Sequence, residues 1–138
     1  MPIRDLDPQA AHAEMQQSPG HVFLDVRSVE EYDAGHPAGA LNVPVLLRDP
    51  ASGGMSPNPG FVAAVQQRVP KTTRIYASCL GGVRSLTALR ALEASGYTDL
   101  VNVASGWGGK KDPMGRIVMP GWKDCGLPVS AEKSTWGR

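Results

Sequence analysis

Short apolar runs alternate along this chain with segments whose apolar residues recur every three or four positions. That switching period predicts an α/β domain with a largely parallel sheet. Asp7-Pro8 suits the cap and first turn of a helix ending near Ser18-Pro19-Gly20. His21 to Val26 reads as a buried central strand, apolar except for Asp25 near its carboxyl end. Ser28 and Glu31 have the spacing of a capping box, opening a short helix through Ala34. Ala40 to Val43 is a short strand stopped by Pro44, and Arg48 to Gly60, with three prolines and three glycines, reads as loop. Phe61, Val65 and Val69 share one helical face before Pro70. Arg74 to Ser78 is the next strand. Val83 to Ala94 then repeats Leu86, Leu89 and Leu92 on one face, flanked by Ala88 and Ala91, until Gly96. Leu100 to Val103 is the last clear strand. From Ser105 to Gly126 the chain is rich in Gly, Trp and Pro, and only Gly121 to Cys125 suggests a short helix.

Length and composition narrow the class. With 138 residues, the expectation is a single domain over residues 1–138, its core spanning about 6–129 and residues 130–138 forming a frayed tail. Hydrophobic residues make up 41%, which excludes a disordered chain. A net charge of +1 with interspersed signs gives no footprint for nucleic acid or a membrane surface. No apolar stretch approaches the roughly 20 residues of a spanning helix. The opening residues, Met1 to Asp7, lack the pattern of a secretory signal, so a cytoplasmic location is expected. Two cysteines, Cys79 and Cys125, and three scattered histidines support neither a disulfide framework nor a metal site.

The chemistry concentrates at Cys79-Leu80-Gly81-Gly82-Val83-Arg84, between a strand and a helix. A cysteine there sits at the positive end of the helix dipole, among backbone N–H groups without helical partners. Glycines allow the tight curl, and a first-turn arginine calls for an anion to offset it. The loop reads as an anion nest holding a thiolate nucleophile, with an inert core cysteine as the bland alternative.

In this order along the chain, several motifs resemble the single-domain rhodanese family, the thiosulfate sulfurtransferase-like proteins. Leu24-Asp25-Val26-Arg27 with Glu30, Glu31 and Tyr32 is similar to an early signature, and Gly35 to Pro44 to the following one. Cys79 to Arg84 with Ser85 resembles the active-site loop, and Gly126-Leu127-Pro128-Val129 the family's ending. Pro37-Ala38, Ser105-Gly106 and the long stretch Gly108 to Gly121 depart from the family pattern. The resemblance implies a three-layer rhodanese-like domain, a mainly parallel sheet with helices on both faces. It implies that Cys79 takes sulfane sulfur from thiosulfate or a similar small anionic donor. The persulfide then passes that sulfur to cyanide or a thiol, protein thiols included, with no cofactor. Cys79 and Arg84 are then the catalytic residues, and Leu80, Gly81, Gly82, Val83 and Ser85 line the substrate.

Two other readings stay open. One is a non-enzymatic module that carries sulfur or binds a partner; the other is a cysteine phosphatase or arsenate reductase on the same fold. Four residues separate Cys79 from Arg84, one fewer than those oxyanion enzymes use, which favours sulfur. Elsewhere the bland readings lead. Asp25 and Arg27 are expected to tie loops together, His36 to be structural and Cys125 to be a partly buried bystander. Lys110 and Lys111 read as a solvated loop tip, with steering of an anionic donor as the rival. Trp107 and Trp122 are expected over the sheet edge, with Trp107 against the pocket.

Overall fold

The computed structural model describes residues 3–136, and its centre is a five-stranded sheet whose neighbouring strands all run parallel. In chain order come β1 (Arg4–Leu6), α1 (Pro8–Met15), β2 (Val22–Asp25), α2 (Val29–Ala34), β3 (His36–Pro37) and β4 (Leu41–Asn42). There follow β5 (Leu46–Arg48), β6 (Met55–Pro57), α3 (Phe61–Arg68), β7 (Ile75–Ser78), α4 (Val83–Ala94) and β8 (Leu100–Val103). The chain closes with β9 (Lys110–Lys111), β10 (Ile117–Met119), a 3-10 turn (Trp122–Asp124) and β11 (Val129–Ser130). The sheet order is β1-β8-β7-β2-β4.

Alternation along the central strands builds the layers. Leu24, Ile75, Ala77 and Leu100 pack with Phe61 and Val65 of α3 and Ala88, Leu89 and Leu92 of α4. Phe23, Tyr76, Val101 and Val103 point the other way, onto Ala11 and Met15 of α1, Tyr32 of α2 and Trp122. Helices therefore cover both faces, as the sequence pattern predicts. The capping signals are realised as well. Asp7 accepts from the Ala10 N–H at 2.7 Å, and Ser28 and Glu31 exchange reciprocal hydrogen bonds at 3.1 and 3.2 Å.

The structure differs from the pattern where elements are short. β1 has three residues, too few to show a period, yet it forms the sheet edge beside β8. Within the expected loop at 48–60, β5 and β6 form an antiparallel hairpin. Its turn is held by Asp49, whose carboxylate accepts from the Ala51 N–H at 2.9 Å. A second hairpin, β9–β10, occupies part of the stretch from Ser105 to Gly126. The expected fraying of the tail is corrected for residues 130–136. Ser130 lies in β11, which pairs with β3, and Ser134 is buried. The Ser134 N–H donates to Asp33 at 2.7 Å, its hydroxyl to Asn42 at 2.6 Å, and Trp136 packs on the core. Side-chain hydrogen bonds anchor this segment, and they leave no hydrophobic period to read. Residues 137 and 138 of the expected tail lie outside the described residues. Among the described residues, no helix is long and apolar enough to cross a membrane.

Candidate active site

β7 is the middle strand of the sheet, and Cys79 is the first residue beyond its carboxyl end. Because all five strands run parallel, the ends of β2, β7 and β8 open on one rim, where ligands of open α/β sheets bind. From Cys79 the chain turns through Leu80 and Gly81 into Gly82, the N-cap of α4, at φ 99°. A side chain is strained in that left-handed conformation, and a Cβ on Gly82 would overlap the Ala104 carbonyl. Glycine thereby lets the backbone fold over the sulfur, and the Gly82 N–H donates to Cys79 Sγ at 3.0 Å.

Ser85, one turn into α4, brings its hydroxyl to 3.4 Å from Sγ. Its proton is committed elsewhere. Asn102 Nδ2 donates to Asp5 Oδ1 at 3.0 Å and to the Gly82 carbonyl at 3.3 Å, which leaves Asn102 Oδ1 to accept from Ser85 at 2.5 Å. Towards Sγ, Ser85 therefore presents a lone pair. All of this is enclosed: Cys79 is 1% exposed and Ser85 fully buried.

A second segment ties down the loop. Trp107 N–H donates to the Cys79 carbonyl at 2.7 Å and Gly108 N–H to the Leu80 carbonyl at 2.9 Å. Gly106 permits this approach, since a Cβ there would strike both carbonyls. Above the loop lies a cleft of about 460 Å³. Its lining includes Leu80, Gly81 and Val83 together with Lys110, Lys111 and Lys123.

Arg84 turns to α2, where its guanidinium grips Glu31 through two hydrogen bonds of 2.8 and 3.0 Å. That grip raises the Arg84 pKa, with Cys79 and Asp25 adding smaller shares. Burial alone would push the Glu31 carboxyl up, but hydrogen bonds from Arg84 and the Ser28 backbone hold it at about 2. The sequence-derived set thus divides. Gly82 and Ser85 meet the sulfur, Leu80, Gly81 and Val83 face the cleft, and Arg84 clamps the loop helix to α2. Glu31 as its partner, Asn102, Asp5 and Lys123 escape sequence reasoning. An asparagine inside the apolar run Leu100 to Val103 was a usable signal, since a buried amide needs partners.

Other singled-out residues are structural. Arg27 and Asp25 form a buried ion pair at 2.8 Å, and Arg27 also reaches the Gly35 carbonyl at 2.7 Å. The Arg27 guanidinium lies 5.2 Å from the Trp107 ring centroid, so Trp107 braces the rim and does not line the cleft. Trp122 is core, against Phe23 and His12, not at the sheet edge. His36 is buried, with its ring stacked on Tyr32. Cys125 borders a different hollow with Asp7 and Met119, and burial pushes its thiol pKa up, assisted by Asp7 and Asp124. Among the described residues, no three His, Cys, Asp or Glu side chains gather as a metal centre requires.

The thiol thus lies at a strand-to-helix turn on a parallel sheet, and the chain as a whole is similar to known proteins. The rhodanese-like domain model matches residues 7–111, and the chain belongs to that family. It is 34% identical over 112 residues to the chloroplastic Thiosulfate sulfurtransferase 16 of Arabidopsis thaliana, covering 81% of this chain and 82% of that protein. It is 38% identical over 88 residues to the Senescence-associated protein DIN1 of Raphanus sativus, covering 64% of this chain and about half, 47%, of that protein's length. The crystal structure of Rv0390 from M. tuberculosis superposes with a TM-score of 0.78 at 26% identity, covering 96% of this chain and all of that one.

Proposed function

We propose that the protein is a sulfurtransferase that carries sulfane sulfur as a persulfide on Cys79. The observation that carries this reading is the 3.0 Å hydrogen bond from the Gly82 N–H to Sγ within a four-residue loop at the start of α4. Such a loop stabilises a sulfur anion, through an oriented N–H and the positive helix end. The Cys79 thiolate attacks the outer sulfur of thiosulfate or a similar donor; the donor's S–S bond breaks, and sulfite leaves with the electron pair. With Cys79 only 1% exposed, a reactant must reach it with a single projecting atom, as the outer sulfur of thiosulfate does. Cyanide or a thiolate then takes the outer sulfur of the persulfide, and Cys79 recovers its electron pair. Two half-reactions through one covalent intermediate give ping-pong kinetics. Arg84 acts through its pairing with Glu31, holding the first turn of α4 in place. The name of the Arabidopsis relative, a thiosulfate sulfurtransferase, lends support.

The test is incubation with thiosulfate followed by intact-mass measurement. The expected product gains one sulfur atom, loses it to cyanide, and does not form in Cys79→Ser. An unmodified protein that instead hydrolyses an aryl phosphate would overturn the reading.

A further inference from the structure

Among the described residues seven large apolar side chains are exposed, and five of them belong to two segments that meet at the cleft. Leu80 (47%) and Val83 (77%) belong to the Cys79 loop and the first turn of α4. Met114 (79%), Ile117 (50%) and Val118 (60%) belong to the β9–β10 hairpin. The hairpin meets the loop: Ile117 stands opposite Lys111 in the ladder, on the same face, and its methyl lies close to Gly109 at the cleft wall. Apolar side chains gathered in this way mark an interaction surface.

Charge specifies the occupant. Lys110, Lys111 and Lys123 all line the cleft, and among the described residues none has an ion-pair partner. The whole chain carries only +1, so this concentration of cations is local. The acids beside them are Asp112 and Asp124; Asp112 is engaged by Arg116 and by backbone N–H groups in the hairpin turn, and neither acid lines the cleft. Size specifies it further. A cleft of about 460 Å³ far exceeds a thiosulfate ion, and a small thiol filling it would still leave Met114 and Val118 uncovered.

We infer that the acceptor is a cysteine thiol in an acidic, partly apolar segment of a partner protein. This segment docks on the β9–β10 hairpin and the lysines beside the cleft. The inference rests on the sulfur-transfer reading and names its acceptor. In the transfer, the partner's thiolate attacks the outer sulfur of the Cys79 persulfide. The Cys79–sulfur bond breaks, its electron pair returns to Cys79, and the partner leaves as a cysteine persulfide. No oxidant or reductant is consumed.

The experiment separates loading from discharge. Protein charged with thiosulfate is first shown by mass to carry one extra sulfur; failure there refutes sulfur transfer itself, not the docking surface. Discharge rates are then compared for three acceptors: a cysteine peptide flanked by Asp, Glu and Leu, the same peptide with Lys replacing the acids, and glutathione. The acidic peptide should be faster than both by about tenfold or more, with the advantage shrinking as salt rises. Lys110→Glu/Lys111→Glu/Lys123→Glu should invert the peptide preference. Ile117→Ser/Val118→Ser should lower the ratio of acidic-peptide to cyanide discharge several-fold. Equal rates for the two peptides, or glutathione matching the acidic peptide, would overturn the proposal.

Discussion

At the scale of single residues, Cys79 depends on neighbours that never touch a substrate. Ser85 donates to Asn102, and Asn102 Oδ1 has that one donor among the contacts described. Ser85→Ala should therefore leave a buried acceptor unsatisfied and cost about 1–3 kcal/mol, read from denaturant unfolding. An unchanged midpoint would remove the hydroxyl from this account. Gly82→Ala should cost roughly 2–4 kcal/mol, because the new methyl meets both the left-handed φ and the Ala104 carbonyl. Cys79 and Gly82 were legible from sequence because a lone thiol followed by two glycines has few structural uses. Asn102 left a signal, a polar residue in an apolar run, but not its role, since its partners Asp5 and Ser85 meet it only in the fold.

At the scale of elements, α2 and α4 are joined by Arg84 and Glu31, and Glu31 also closes the capping box of α2. One carboxylate thus starts one helix and holds the first turn of the other. In a double-mutant cycle, Arg84→Ala and Glu31→Gln should show a coupling of about 1–2 kcal/mol in unfolding free energy. Additive losses would mean that the clamp is not a unit. The twelve-residue helix α4 could be read from its repeating apolar face, and the strands from Val22, Ile75 and Leu100 from their nearly unbroken apolar runs. The hairpins β5–β6 and β9–β10 could not. Their strands have two or three residues each, and turn bonds around Asp49 and Asp112 set their geometry.

At the scale of the whole molecule, two carboxylates brace the ends of the sheet and respond to acid. Hydrogen bonds from Arg4 and then Tyr76 hold Glu14 at about 2, and Glu31 is held at about 2 as well, against an ordinary value of 4.5. Depressed values mean that this stabilisation is present above pH 4.5 and is lost as pH falls towards 2. The urea midpoint should fall across that window, and less steeply in Glu14→Gln/Glu31→Gln; equal slopes would refute the assignment. The rhodanese-like domain model matches residues 7–111, but the sheet edge β1 precedes that stretch. Trp122, β11 and the Ser134 anchor to Asn42 all follow it. The matched stretch and the folding unit therefore have different boundaries here. A fragment trimmed to 7–111 would expose the flank of β8 and empty part of the core. It should show no cooperative melting, and a well-behaved fragment would prove those outlying pieces dispensable. Whatever is grafted, swapped or excised in this protein has to respect the wider limits.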